Sequence, residues 1–276
     1  SGNAVTVTGV AGGDATVTVT LADGQNYLGS SIGVSVMVIS STLAENSPKA
    51  IQYAAQAGIA STLWNVGAKT ANISIGSFSG IAATTNVAAF IIGFDHNSSK
   101  EGTNRIHFQF GKIGTKDVAF YALAISNGNK NSGGWNSSNM RTTHCPAFKS
   151  ALPSAWQNAI AATTKYTDNT GGGSDTASYV TATTDDIFLL AEYEVFGSRS
   201  EANSAEQNYQ AQYQYYINGN SKIKYRHNAT SSDCCWWLRS PNADSSGGFC
   251  NVDTNGRAWS DPISLSFGFA PGFSIA

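Results

Sequence analysis

Four cysteines, one Asp-His pair and two closely spaced glutamates are the side chains of this chain that could do chemistry. Cys234 and Cys235 are neighbours, Cys250 follows in the same C-terminal stretch, and Cys145 stands apart. A thiol becomes a nucleophile only when a nearby cation or base lowers its pKa. No His, Lys or Arg arrangement marks any of these cysteines as activated, and there is no CxxC pair or Cys/His spacing of the zinc-binding kind. A disulfide between neighbours is strained, so the expectation is buried thiols, with a Cys235–Cys250 bridge as the alternative. Asp95-His96 suggests metal or acid–base work, but closing the turn after a strand is the simpler role. Glu192 and Glu194 read as cap or arginine partners rather than catalytic carboxylates. Ser-His-Asp spacing, a phosphate loop and metal-type carboxylate spacing are all missing. No catalytic residue, cofactor or metal is expected.

What remains is the C-terminal stretch, residues 234–276: CCWWLRSPNADSSGGFCNVDTNGRAWSDPISLSFGFAPGFSIA. Its ends have strand chemistry, with Trp236, Trp237 and Leu238 at one end and Phe267, Phe269, Phe273 and Ile275 alternating at the other. Its interior is rich in Gly, Ser, Asn and Asp, which is turn chemistry. A rigid frame around an irregular, side-chain-diverse surface suits recognition rather than catalysis.

The frame needs a scaffold, and the composition can build one. A hydrophobic share of 41% supports a proper core, and 276 residues allow one large domain or a medium one with a small companion. A net charge of −2 gives no basic footprint, so nucleic acid is not an expected partner. No apolar run reaches membrane-spanning length, and the amino terminus lacks a signal-peptide pattern.

Residues 4–8, 15–21 and 32–39 alternate as strands, with a turn at Asp23-Gly24. Three strands cannot make a sandwich alone, so they pack on the main domain or are the remainder of a longer module. Ser47 caps a helix that starts at Pro48 and is bracketed by Gly58. Residues 88–100 read as a buried strand leading to a polar turn, and residues 153–162 as a second helix with Trp156 and Ile160 on one face. GGGSDTAS is a loop, and residues 187–197 are a strand turning into a short helix. The tyrosine-rich residues 207–216 either border the binding face or cover the core.

WWLRSP, FCNVDTNGRA and GFAPGFSI resemble the end of a C-type lectin-fold domain of the formylglycine-generating-enzyme type. More closely, they are similar to the variable proteins diversified by diversity-generating retroelements in gut phages and bacteria. IIGFDH, GGWNSSNMR and residues 187–197 carry the same resemblance upstream. Adenine randomisation of Asn codons never yields Lys, Glu, Gln or Met, and residues 236–276 contain none of them. About four would be expected from composition alone. The resemblance implies an α+β protein: a C-type lectin fold over residues 42–276, with a short all-β immunoglobulin-like N-terminal portion over residues 1–41. It implies a ligand-binding role, as a phage tail or receptor-binding protein in a virion, or as a bacterial adhesin at a cell surface. The partner would be a protein or glycan receptor on a bacterial surface. SPNA at residues 240–243 lacks the acidic start of the lectin calcium motif, so calcium-dependent sugar binding is not implied. The alternative from another class is a formylglycine-generating-type oxidase using Cys250.

The variable region is expected at about residues 240–270. Its candidate positions are Asp244, Ser245, Gly247, Gly248, Asp253, Arg257, Ser260, Asp261, Pro262, Ile263, Leu265 and Phe267, all residue types reachable from an Asn codon. Trp259 lies outside that codon set and under this reading is a constant contact residue. Most of these are expected on one exposed face, with Trp259, Ile263, Leu265 and Phe267 as its apolar centre. The competing expectation is that Ile263, Leu265 and Phe267 form a buried alternating strand.

Overall fold

Alternating residues near the amino terminus form β1 (Gly13–Leu21) and β2 (Ser30–Val38), paired antiparallel with Val19 opposite Ile32. The computed structural model describes residues 13–21 and 30–276. Among them this ribbon shares no strand pairing with the rest, and Val19, Ile32 and Val34 are exposed. The strand expected at residues 4–8 and the turn at Asp23-Gly24 lie outside the described residues.

Helix α1 (Pro48–Gln56) starts as its sequence dictates: the Ser47 hydroxyl accepts from Ala50 N, and Pro48 occupies the first turn. It buries Ile51, Ala54 and Ala55, and α2 (Ala60–Leu63) follows it. Then come β3 (Ile73–Ile75), β4 (Thr84–Phe94), the one-turn α3 (Ser98–Glu101), β5 (Ile106–Ile113) and β6 (Lys116–Ala124). Residues 87–93 of β4 are buried without interruption, so this strand is covered on both faces and reads as a continuous apolar run.

Short helices α4 (Gly134–Ser137), α5 (Cys145–Ala151) and α6 (Ser154–Ala159) lead to β7 (Ile160–Ala161). The second helix is therefore shorter than the expected 153–162. Ile160 leaves it to pair with Ile275 in the sheet, and a tertiary ladder overrides local helix pattern there. β8 (Thr163–Asp168) and β9 (Val180–Asp185) form a separate hairpin, followed by α7 (Glu192–Phe196) and α8 (Gln214–Ile217). Tyr213, Tyr215 and Tyr216 are buried, so this end of the tyrosine-rich stretch covers the core.

The chain ends with β10 (Lys224–Arg226), β11 (Ala229–Cys234), β12 (Trp236–Pro241), β13 (Gly248–Val252), β14 (Ala258–Pro262), β15 (Ser266–Phe269) and β16 (Gly272–Ile275). The molecule is mixed α+β, with a 12-stranded sheet running β14-β13-β12-β15-β6-β5-β16-β7 and branches at β3–β4 and β10–β11. An aromatic cluster fills its core. Phe148 meets Phe78, Phe110 and Phe269 edge-on at 5.1, 4.9 and 5.4 Å.

All of β12 is buried, and so are Phe269 and Phe273. The indole N–H of Trp237 donates to Leu123 O at 2.9 Å, and that of Trp236 to Lys222 O at 2.8 Å. Each tryptophan thus buries its polar handle with a partner. Gly268 is required where β15 presses against β6 and β12: a Cβ there would lie 2.6 Å from the Ala119 Cβ.

Candidate functional site

The frame is anchored beneath the surface by Arg239. Its guanidinium donates twice to Glu194, at 2.5 and 2.8 Å, and also to Thr167 Oγ1 at 2.6 Å and Leu189 O at 2.8 Å. Glu194 in turn accepts from Ala191 N at 3.0 Å, capping α7, and from Lys165 Nζ at 3.2 Å. Burial pushes the Glu194 carboxyl upward, but Arg239 and Lys165 more than offset that and hold it well below the usual range. Glu192 caps the backbone of residues 200–202, accepting from Ser200 N and Ala202 N at 2.7 Å each. The two glutamates therefore have the structural roles expected of them.

On this base the loop after β12 is fixed by side chains. Asn242 Oδ1 accepts from Asp244 N at 2.6 Å and Ser245 N at 2.8 Å, an Asx-type turn. The amide of the buried Asn131 donates to Ser245 O at 3.0 Å and Gly248 O at 2.8 Å, bracing the same loop from the other side. Nothing in the sequence marks Asn131, because its partners lie more than a hundred residues away. Glu201 accepts from Asn242 Nδ2 and Ser260 Oγ at 2.9 Å, tying β14 to that loop.

Of the candidate positions, Asp244, Ser245, Arg257, Trp259, Pro262 and Leu265 are exposed, and Gly247, Asp253, Ser260, Asp261 and Phe267 are half-buried. Ser245, Gly247, Gly248, Ser260, Asp261, Pro262 and Ile263 line one surface cavity of about 320 Å³, together with Gly128 and Asn129. Trp259 stands beside it on β14, 57% exposed, and Leu265 follows on the turn closed by Leu265 N to Pro262 O at 3.0 Å.

Two positions depart from the expected exposed face. Ile263 is 1% exposed: its N–H bonds Gly247 O and its carbonyl accepts from Ser126 N, so the turn after β14 tucks the side chain into the core. Gly248 is buried in β13, where an added Cβ would sit 3.4 Å from the Asn242 Cβ. Phe267 packs half-buried on Trp237 at 4.7 Å between ring centroids. The buried-strand alternative fails as well, since Ile263 and Leu265 lie in the turn between β14 and β15. The apolar centre is therefore Trp259 and Leu265.

Residues 113–276 match DUF6273, a domain of unknown function. The chain belongs to that family. No curated protein and no solved structure matches it. The DUF6273 segment contains β6 to β16, and with them the whole frame and rim. Its sheet is completed from outside the match, since β4 and nearly all of β5 precede residue 113.

The remaining reactive groups are placed in ways that quench them. All four cysteines are free thiols. Cys250 is buried, with Sγ 3.9 Å from a Glu192 carboxylate oxygen, and burial followed by that negative charge raises its pKa well above the ordinary thiol value. Burial likewise pushes Cys234 up to about 12 and raises Cys145 and Cys235. None resembles an activated thiol. Asp95 closes the turn as expected, accepting from Arg105 N at 2.9 Å, but His96 turns inward and stacks on Tyr213 at 3.6 Å.

There His96 joins a constellation invisible in the sequence. His96, Glu101 and Glu194 bring ligand atoms within 4.8 Å of one another. Lys165 Nζ already sits among the carboxylates, 2.7 Å from Glu101 and 3.2 Å from Glu194, and 2.8 Å from the Tyr213 hydroxyl. The cation these carboxylates call for is thus supplied by the chain. Burial raises Glu101 to about 7, and burial with the Lys165 charge lowers His96 to about 3. Ser79 Oγ and His144 Nδ1 meet at 2.8 Å, but among the described residues no carboxylate orients that ring. The pair ties the turn formed by Phe78 and Ile81 to the start of α5.

Proposed function

We propose that this chain is a ligand-recognition protein of the C-type lectin fold whose C-terminal surface is diversified, most simply a phage tail or receptor-binding protein. One observation carries the reading. Seven of the thirteen candidate positions, between Ser245 and Ile263, line one cavity with Trp259 exposed on the same strand β14, while β12, two strands away in the sheet, is wholly buried and tied to α7 by the Arg239–Glu194 pair. Such a rim can change residue by residue without touching the core that holds it. The partner is a protein or glycan receptor on a bacterial surface. A bacterial adhesin would use the same surface.

The test is binding of the fluorescently labelled full chain to a panel of whole bacterial cells. Saturable binding to some strains, lost in Trp259→Ala/Leu265→Ala at an unchanged melting temperature, supports the reading. Binding indifferent to these changes, or no binding to any strain, overturns it. At the gene level, diversification requires a near-repeat of the tail-coding region beside a reverse transcriptase gene.

A further inference from the structure

We infer that β14 recruits its partner by strand addition, taking an extended peptide segment of a protein ligand onto its outer edge. This rests on the recognition reading above and names the partner class. β14 ends the sheet order and pairs only with β13 among the described residues. The bond from Ile263 N to Gly247 O, at 3.1 Å, sets the alternation of that ladder. Stepping two residues at a time in the same register makes Asp261–Phe249 and Trp259–Asn251 the bonded pairs. The N–H and C=O groups of Ala258 and Ser260 therefore point away from the sheet, and both residues are half-exposed.

These outward groups form a donor–acceptor row two residues apart, the template an added strand needs. Proteins usually blunt such an edge with lysine, an inward charge or a bulge. β14 carries no lysine and no bulge, its one proline stands only at its last position, and its one charge, Asp261, is held by the Asn251 amide. The row ends at Pro262, which has no N–H and whose carbonyl is taken by Leu265 N. That stop confines the ladder to the groups of Ala258 and Ser260.

The side chains then state what the strand should carry. Trp259 and Asp261 share one face of β14, since side chains two apart point the same way. Trp259 offers an exposed aromatic surface. Asp261 is bonded to the Asn251 amide at 3.0 Å and forms no ion pair among the described residues. Charge complementarity asks for Lys or Arg opposite Asp261, and an apolar residue two positions away over Trp259. A second copy of this chain fits less well. Pairing β14 with itself about Ser260 would set each Pro262 opposite an Ala258, and a ladder bond would be lost at both ends.

The experiment selects short random peptides, displayed on phage, against the immobilised full chain. Selected peptides are expected to show the cation and apolar residue two apart. They should bind Ser260→Pro about tenfold more weakly or worse, while Ser260→Ala retains them. N-methylation of a selected peptide should abolish binding at alternate backbone positions and spare those between, a readout that needs no protein variant. Peptides lost in Trp259→Ala but indifferent to Ser260→Pro and to N-methylation would overturn strand addition and leave the recognition surface standing. An empty selection, or a dimer of the chain broken by Ser260→Pro, overturns the proposal. If peptides bind regardless of both Trp259→Ala and Ser260→Pro, the surface reading falls with it.

Discussion

Arg239 and Glu194 form a two-pronged ion pair, 2.5 and 2.8 Å long, with both side chains fully buried. The pair joins the middle of β12, the strand beside β13 in the sheet, to the first turn of α7. Removing one partner strands a charge in the interior. Glu194→Ala is expected to cost about 3–5 kcal/mol by chemical denaturation. Arg239→Met/Glu194→Ala should recover part of that loss, since no uncompensated ion remains. Additive losses in the double variant would show that the pair does not act as a unit.

The two kinds of tryptophan should separate cleanly. Trp237 is wholly buried, and Trp237→Ala should cost about 3–5 kcal/mol. Trp259 is 57% exposed, and Trp259→Ala should change stability by no more than about 0.5 kcal/mol. Comparable unfolding midpoints for the two variants would contradict the division into frame and rim.

Burial raises Glu206 to about 7, above its value in the unfolded chain. A carboxyl that stays protonated longer when folded contributes stability below the unfolded pKa, and that contribution is lost as pH rises through about 7. Glu101 adds a slope of the same sign. His96 and His107, held neutral by burial, pull the other way as pH falls below 6.5. The intact chain should therefore show a shallow profile, and single substitutions should expose its parts. The melting temperature of Glu206→Gln relative to the parent chain should be higher at pH 8 than at pH 5. A difference independent of pH would place Glu206 in its ordinary range.

Thiol labelling tests the quenched cysteines. With iodoacetamide at pH 8, the half-buried Cys235 should react slowly in the folded chain, and Cys145, Cys234 and Cys250 only after unfolding. Mass spectrometry of digested protein reads the sites. Rapid native labelling of Cys250 would revive an oxidase-like role.

By itself the sequence determined the features whose causes are local. The α1 cap at Ser47 and Pro48, the unbroken apolar run of β4 and the strand chemistry of WWLRSP were legible because cap, period and β-propensity act within a few residues. Between β12 and β15 the turn chemistry was legible at residues 244–247 and 253–257, but β13 between those turns is buried throughout. The tertiary structure decided which side of an ambiguous pattern meets the core. Ile263, Leu265 and Phe267 are spaced identically, yet the turn after β14 buries the first, exposes the second and lays the third on Trp237. It also chose partners: Glu194 finds Arg239 45 residues on, and Lys165 reaches back 64 residues to Glu101. A two-residue period says that faces alternate, but only packing assigns a face to the interior. A buried charge must find its counterion wherever the fold brings one, and sequence distance carries no record of that.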